Sequence, residues 1–299
     1  MSAPQGAETR PARQERVPLG ILYLIGATVM FAAQSASSKW LVADYPNGEV
    51  LFGRTLVSLI VVAAFVLPST GLGVFRTTRL PAHLMRAGSQ GLSQNFILIA
   101  FSMMPLASVI AISFSAPLFS TLAAAIFLRE TVGPARWIAL IVGFLGVLLV
   151  TNPGADTFTI GALFALGNAV LYGSVTVGVR GMTGTESTET LLLYQMMLLT
   201  VIFAAMLPFG FRMPTGFDAL VMVANGVTNA FGQYWWTRAL HLAPASAVGP
   251  FYYFMLVWSI VLGFLIWGDV PTASLLVGSA IVVGSGLFLL WREQRRSAG

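Results

Sequence analysis

Within one long apolar run, Asn225, Asn229 and Gln233 recur every fourth residue, and Trp236 follows three later. A helix brings all four to one face. Carboxamides in an apolar segment are unfavourable unless a partner or water meets them, so the stripe is expected to line something wet or polar. An earlier stretch repeats it: Ser89-Gln90-Gly91-Leu92-Ser93-Gln94-Asn95 matches Thr228-Asn229-Ala230-Phe231-Gly232-Gln233-Tyr234 at a constant offset of 139 residues. Two equivalent stripes predict an internal duplication with a shared cavity at its centre. Gln90, Gln94, Asn95, Asn229 and Gln233 would supply donors and acceptors to it. For each amide alone the plain alternative is an interhelical hydrogen bond, worth on average about 0.6 kcal/mol in membrane proteins.

Gln34 and Ser38 in the first apolar run, and Asn168 and Tyr172 in the sixth, extend the set. Asn168 and Tyr172 are four apart and share a face, and Phe31 is the counterpart of Tyr172 in the duplication. The stretch Phe251-Tyr252-Tyr253-Phe254 surrounds a helix on every side, so one or two of its rings can face a cavity. Tyr253, seven after Ser246 and three after Pro250, is the one selected. Pro117 and Pro250 fall inside apolar runs, where proline deletes a backbone hydrogen bond, so both are candidate hinges as well as ordinary kinks.

What is missing narrows the chemistry. The chain has no cysteine and only two histidines, His83 and His241, in separate segments, which excludes thiolate catalysis and makes no metal site. No Asp or Glu lies deep in an apolar run: Glu49, Glu130, Glu189 and Asp269 stand at ends. That argues against a carboxylate-driven proton pathway and against an intramembrane enzyme, and no cofactor is expected. Arg54 is the one cation inside a run; five residues after Glu49, it is read as snorkelling outward.

With 57% hydrophobic and 9% charged residues, the 299-residue chain has too little polar surface for a soluble domain, which carries about a quarter charged. The class is an all-α integral membrane protein. Taking about 20 residues per crossing, ten spans emerge: 18–42, 48–68, 84–104, 107–128, 134–151, 159–180, 188–208, 217–240, 246–267 and 272–291. Residues 1–17 and 292–299 read as tails. The net charge of +5 reflects topology and not nucleic-acid binding, since no basic patch with interleaved aromatics exists. Placing both termini in the cytoplasm puts thirteen basic residues inside, with only Lys39 and Arg212 outside. Lys39 and Arg180 are read as interface anchors. Small residues four apart, Ala139/Gly143 and Ala280/Gly284, are read as helix-contact faces.

Further landmarks recur between 18–151 and 159–291: Lys39 with Arg180, Pro68 with Pro208, Pro105 with Pro244, and Glu130 with Asp269. Five spans per copy is odd, so the second copy enters the membrane upside down. Arg54, the stretch Phe127-Leu128-Arg129-Glu130-Thr131, the run Trp137 to Leu149 with Gly143 and Gly146, and the weaker echo Trp267-Gly268-Asp269 resemble the EamA-type repeat of the drug/metabolite transporter superfamily. The chain looks most like its bacterial aromatic amino-acid exporters of YddG type. The resemblance implies a multi-pass protein of the bacterial inner membrane that exports small zwitterionic metabolites, aromatic amino acids first, by alternating access. The absence of buried acids adds the expectation of a facilitator. Other amino acids or drug-like compounds, and a non-transport receptor, are the alternatives. The lipid bilayer and a small-molecule substrate are the expected partners.

Overall fold

The computed structural model describes residues 17–116, 118, 119, 122, 134–151, 160–180, 182, 186–243 and 249–297. Ten α-helices lie among them: α1 (Val17–Leu41), α2 (Asn47–Thr70), α3 (Leu80–Met103), α4 (Leu106–Ser113), α5 (Pro134–Thr151), α6 (Ile160–Arg180), α7 (Thr188–Ala204), α8 (Gly216–Leu242), α9 (Phe254–Trp267) and α10 (Ala273–Ser297). No strand occurs among the described residues.

Local sequence sets the helix ends. The Ser187 hydroxyl accepts the Thr190 N–H at the start of α7 (3.1 Å). Thr215 and Asp218 cap α8 reciprocally: the Asp218 N–H donates to Thr215 Oγ1 (3.2 Å), and Thr215 Oγ1 donates to Asp218 Oδ2 (2.7 Å). Gly268, at φ 71°, closes α9 in the left-handed conformation that a side chain disfavours.

Large apolar side chains cover the outside, among them Leu22, Phe65, Ile138, Leu145, Val201 and Leu265. An apolar exterior on this scale has its solvent in lipid. By length and composition, the stretches Val17–Leu41, Asn47–Thr70 and Glu189–Phe209 can each cross a bilayer unaided. Trp137–Val150, Ile160–Gly173, Phe251–Trp267 and Ala273–Phe288 are shorter apolar helices.

The neighbour relations have an internal symmetry. α1 packs on α8, α3 on α6, α2 on both α7 and α8, α7 also on α3, α9 on α1 and α4, α4 also on α6, and α5 on α10. Replacing each helix by the one five places away returns this same set of principal pairings, since α1–α8 becomes α6–α3 and α1–α9 becomes α6–α4, whereas the lesser contacts α2–α3, α1–α3 and α4–α10 have no counterpart of like extent among the described residues. α2 and α7 run antiparallel: Gly48 lies against Met206 at one end, and Thr190 Oγ1 donates to the Val74 carbonyl (2.9 Å) at the other.

The α5–α10 pair meets backbone to backbone. A Cβ on Gly278 would sit 2.7 Å from the Gly146 carbonyl oxygen, and one on Gly146 would sit 2.9 Å from that of Gly278. The expected α5 face is present, with Ala139 buried and Gly143 against Leu118 and Ser285. The expected α10 face is not: Ala280 is exposed and nothing lies within 4 Å of a Cβ at Gly284. The contact runs through Gly278 and Ser285, on a different side of the helix. Gly278→Leu is therefore expected to destabilise the protein by about 3 kcal/mol or more, while Gly284→Leu changes stability by less than about 0.5 kcal/mol; thermal unfolding in detergent checks both.

Lys39 sits differently from expectation, whereas Glu49 stands at a helix end as expected. Lys39 is no interface anchor: its Nζ donates to the carbonyls of Met104 (2.6 Å) and Phe101 (3.2 Å), capping the end of α3, and lies 5.2 Å from the Trp267 ring centre. Glu49 is buried in the first turn of α2, where Oε2 accepts the Arg212 N–H (2.9 Å) and Oε1 is enclosed without a partner.

Candidate functional site

The amide stripe on α8 does not face one cavity along its length. Asn225 is fully buried against α1, its Nδ2 donating to Ser38 Oγ (2.8 Å), Ser37 Oγ (2.9 Å) and the Gln34 carbonyl (3.0 Å). One turn on, Asn229 Nδ2 donates to Ser58 Oγ of α2 (2.9 Å), and Ser58 Oγ donates to the Gly226 carbonyl (2.8 Å). Another turn on, the Gln233 side chain is half-buried and joins no hydrogen bond among the described residues. Trp236 is exposed at 38%, so of the two adjacent rings it is Trp235 that packs inward, over Gly26 of α1. The stripe is one face, but its hydrogen-bond partners change from α1 to α2 to none among the described residues.

On α3 the polar residues fall at Arg86, Gln90 and Gln94, each four after the last. Gln94 Oε1 accepts from Arg54 Nη2 (2.6 Å). Arg54 does not snorkel outward: it is 6% exposed, with no carboxylate in ion-pair range among the described residues. Arg86, counted in the sequence only as a topology marker, donates to Gln195 Oε1 of α7 (2.5 Å) and the Leu191 carbonyl (3.4 Å), with its Nε buried and unpartnered. Gln90, between them, is buried and joins no side-chain hydrogen bond among the described residues. Asn95 points elsewhere, because consecutive helical residues diverge by about 100°. Its Nδ2 donates to the Gly91 carbonyl (3.0 Å) and lies 3.9 Å from the Met206 sulfur of α7.

Asn168 is a junction of three helices and not an open cavity group. Its Oδ1 accepts from Ser93 Oγ of α3 (2.8 Å), and its Nδ2 donates to Ser113 Oγ of α4 (3.2 Å). Tyr172, one turn on, is exposed, with 48% of its surface accessible. Gln34 is half-buried, its Nε2 donating to Ser38 Oγ of its own helix (3.0 Å).

Aromatic rings gather where α1, α4 and the start of α9 meet. Tyr252 stands edge-on to Phe31 (6.4 Å) and Phe114 (5.9 Å), and Trp258 Nε1 donates to Thr28 Oγ1 (3.2 Å). Tyr253, the ring selected from the sequence, packs on Phe114 (5.1 Å) with its hydroxyl filling the space left by Gly286 of α10. Tyr252 is thus the ring between α1 and α4, one position from the one selected. The backbone at Pro250 belongs to a 3-10 turn, Gly249–Tyr253, that precedes α9, so this segment enters irregularly as the proline implied. Pro117 lies outside the described residues.

Two sets of loop contacts that the sequence did not reveal tie the bundle at its opposite ends. At one end, the Tyr45 hydroxyl donates to Asp218 Oδ2 (2.8 Å) and accepts the Thr215 N–H (3.1 Å), while Trp40 Nε1 donates to Asp218 Oδ1 (3.2 Å). At the other, Thr77 Oγ1 donates to Glu186 Oε1 (2.6 Å), and the Tyr194 hydroxyl donates to the Phe75 carbonyl (2.7 Å) while its ring stacks on buried His83 (4.5 Å). Tyr45 and Glu186 occupy matching places in the duplication, an offset of 141 residues, as do Lys39 and Arg180.

Comparison with known proteins agrees with this architecture. The sequence model of the EamA-like transporter family matches twice, over residues 18–152 and 159–291. A riboflavin transporter of Rhizobium johnstonii is 30% identical over 94% of this chain and 94% of its own. An S-adenosylmethionine uptake transporter of Rickettsia bellii is 26% identical over 93% of this chain and 95% of its own. A crystal structure covering 92% of this chain and 98% of its own superposes with a TM-score of 0.63 at 20% identity, a likeness of fold. These relatives support a multi-pass membrane transporter and no enzyme. They give no support to the narrower likeness to aromatic amino-acid exporters.

Proposed function

Because the chain belongs to the EamA-like transporter family, we propose that it carries a small, ring-bearing organic metabolite across a bacterial inner membrane by alternating access. Ten crossings, arranged as two oppositely oriented halves (18–151 and 159–291) with both termini cytoplasmic, would rock about a shared central cavity. The neighbour set that repeats under exchange of the halves, and the antiparallel α2–α7 pair, support this arrangement.

The observation that carries the reading is the α3 stripe with its counterpart on α8. Among the described residues Gln90 and Gln233 keep carboxamides without hydrogen-bond partners, in a molecule whose exterior is apolar. Amides so placed are satisfied by water when the cavity is open and by the permeant when it is filled. The rings of Phe31, Tyr252 and Trp258 give an apolar wall suited to a planar solute. The relatives are named for riboflavin and S-adenosylmethionine, both of which carry fused heteroaromatic rings with polar edges. This moves the substrate class from aromatic amino acids toward larger ring-bearing metabolites, and phenylalanine becomes the second reading to test.

Purified protein in liposomes is expected to exchange labelled riboflavin or S-adenosylmethionine faster than phenylalanine, with equal rates whether or not a pH gradient is imposed. Gln233→Leu is expected to lower that exchange at least about tenfold, the loss of one or two hydrogen bonds to the permeant, with membrane insertion unchanged. Exchange of none of the three compounds, or full exchange in the variant, would remove the basis for the reading.

A further inference from the structure

The guanidinium groups of Arg54 and Arg86 stand at two depths on one polar track, and each is held by a glutamine oxygen where an acid would be the ordinary partner. A carboxamide orients a guanidinium but leaves its charge uncompensated. Among the described residues neither arginine has a carboxylate in ion-pair range. Arg54 is 6% exposed, and among the described residues its five N–H donors have no partner beyond Gln94. Arg86 keeps its Nε enclosed without an acceptor. Burial of an unpaired cation is strongly unfavourable, and the position persists only where something negative visits it.

From this geometry we infer that the permeant carries a carboxylate or phosphate, which Arg86 and Arg54 bind in turn as it moves along α3. The inference rests on the transport reading above and adds the charge of the cargo. Arg86 and Gln94 are two helical turns apart, about 12 Å along the axis, with Gln90 midway and Tyr172 beside the Arg86 end. An anion passing between the two stations has a donor at each turn. The planar fork of each guanidinium is matched to two oxygens of one carboxylate or phosphate.

The test uses two pairs of labelled probes in proteoliposomes, with empty-liposome rates subtracted: N-acetylphenylalanine against N-acetylphenylalaninamide, and riboflavin 5′-phosphate against riboflavin. In at least one pair the anionic member is expected to move at least about tenfold faster, the worth of one charge-assisted contact. Arg54→Gln and Arg86→Gln should each erase that preference, and Arg54→Lys should keep it at a lower rate. Helical circular dichroism and monodispersity establish that each variant is folded; should either glutamine variant fail to fold, the wild-type preference and the lysine variant carry the test. Equal rates within both pairs, faster movement of the neutral members, or a preference that survives both glutamine substitutions overturns the inference while leaving transport intact. Movement of no probe, riboflavin included, removes the transport reading itself.

Discussion

Asn225→Leu is expected to destabilise the folded protein by about 3 kcal/mol, the sum of lost interhelical bonding and stranded buried hydroxyls. Asn225 is fully buried, and its one amide nitrogen serves three acceptors on α1. Leucine is close in volume, so the main loss is polar. Ser38, itself fully buried, loses its partner on α8 and retains only Gln34. Thermal unfolding in detergent is expected to shift down on the order of 5–8 °C. Asn229→Leu provides the contrast: it removes one bond to Ser58, whose hydroxyl still donates to the Gly226 carbonyl, so its loss is nearer about 0.6 kcal/mol. Equal shifts for the two variants would sink this division of roles.

Tyr45→Phe is expected to open one end of the bundle. The phenol is the only group among the described residues that both donates to Asp218 and accepts from the Thr215 backbone, and phenylalanine deletes both bonds while keeping the ring. Losing two bonds from one tie and none from the other shifts a two-state balance by about 1–2 kcal/mol, a factor of about ten. The chain contains no cysteine, so a single Gln34→Cys reporter, a short way down α1 from that loop, can be read cleanly. A hydrophilic maleimide is expected to label it about tenfold faster when Phe replaces Tyr45. Thr77→Val, which loosens the opposite tie, is expected to slow the same labelling. Faster labelling in both variants would mean general loosening and not a shift between two openings.

The fold was legible because periodicity and length are strong signals in an apolar chain. The repeat offset located matching elements, and amides every fourth residue located the faces of α3 and α8. Which neighbour each face meets is a tertiary fact: Asn225, Asn229 and Gln233 are equivalent in sequence yet bond to α1, to α2 and to no partner among the described residues. Trp236 missed the inward ring by one position, because adjacent aromatics differ by about 100° around the axis and both are apolar enough to face either way. Arg86 looked like a charge near a helix end, which in membrane proteins usually marks topology, and Arg54, inside an apolar run, looked like a snorkelling side chain. Their roles depend on Gln94 and Gln195, distant in sequence from their arginines by 40 and 109 residues. The loop ties of Tyr45 and Thr77 carried no pattern at all, since single hydroxyls in short connections are too common to signal anything.

Both ties are made at once. Among the described residues the form therefore carries contacts across both of its ends together. The described contacts are uneven: two hydrogen bonds reach the Asp218 carboxylate at one end, and one reaches Glu186 at the other. If the proposed cycle turns on parting these contacts, the end closed by Asp218 is the costlier one to release.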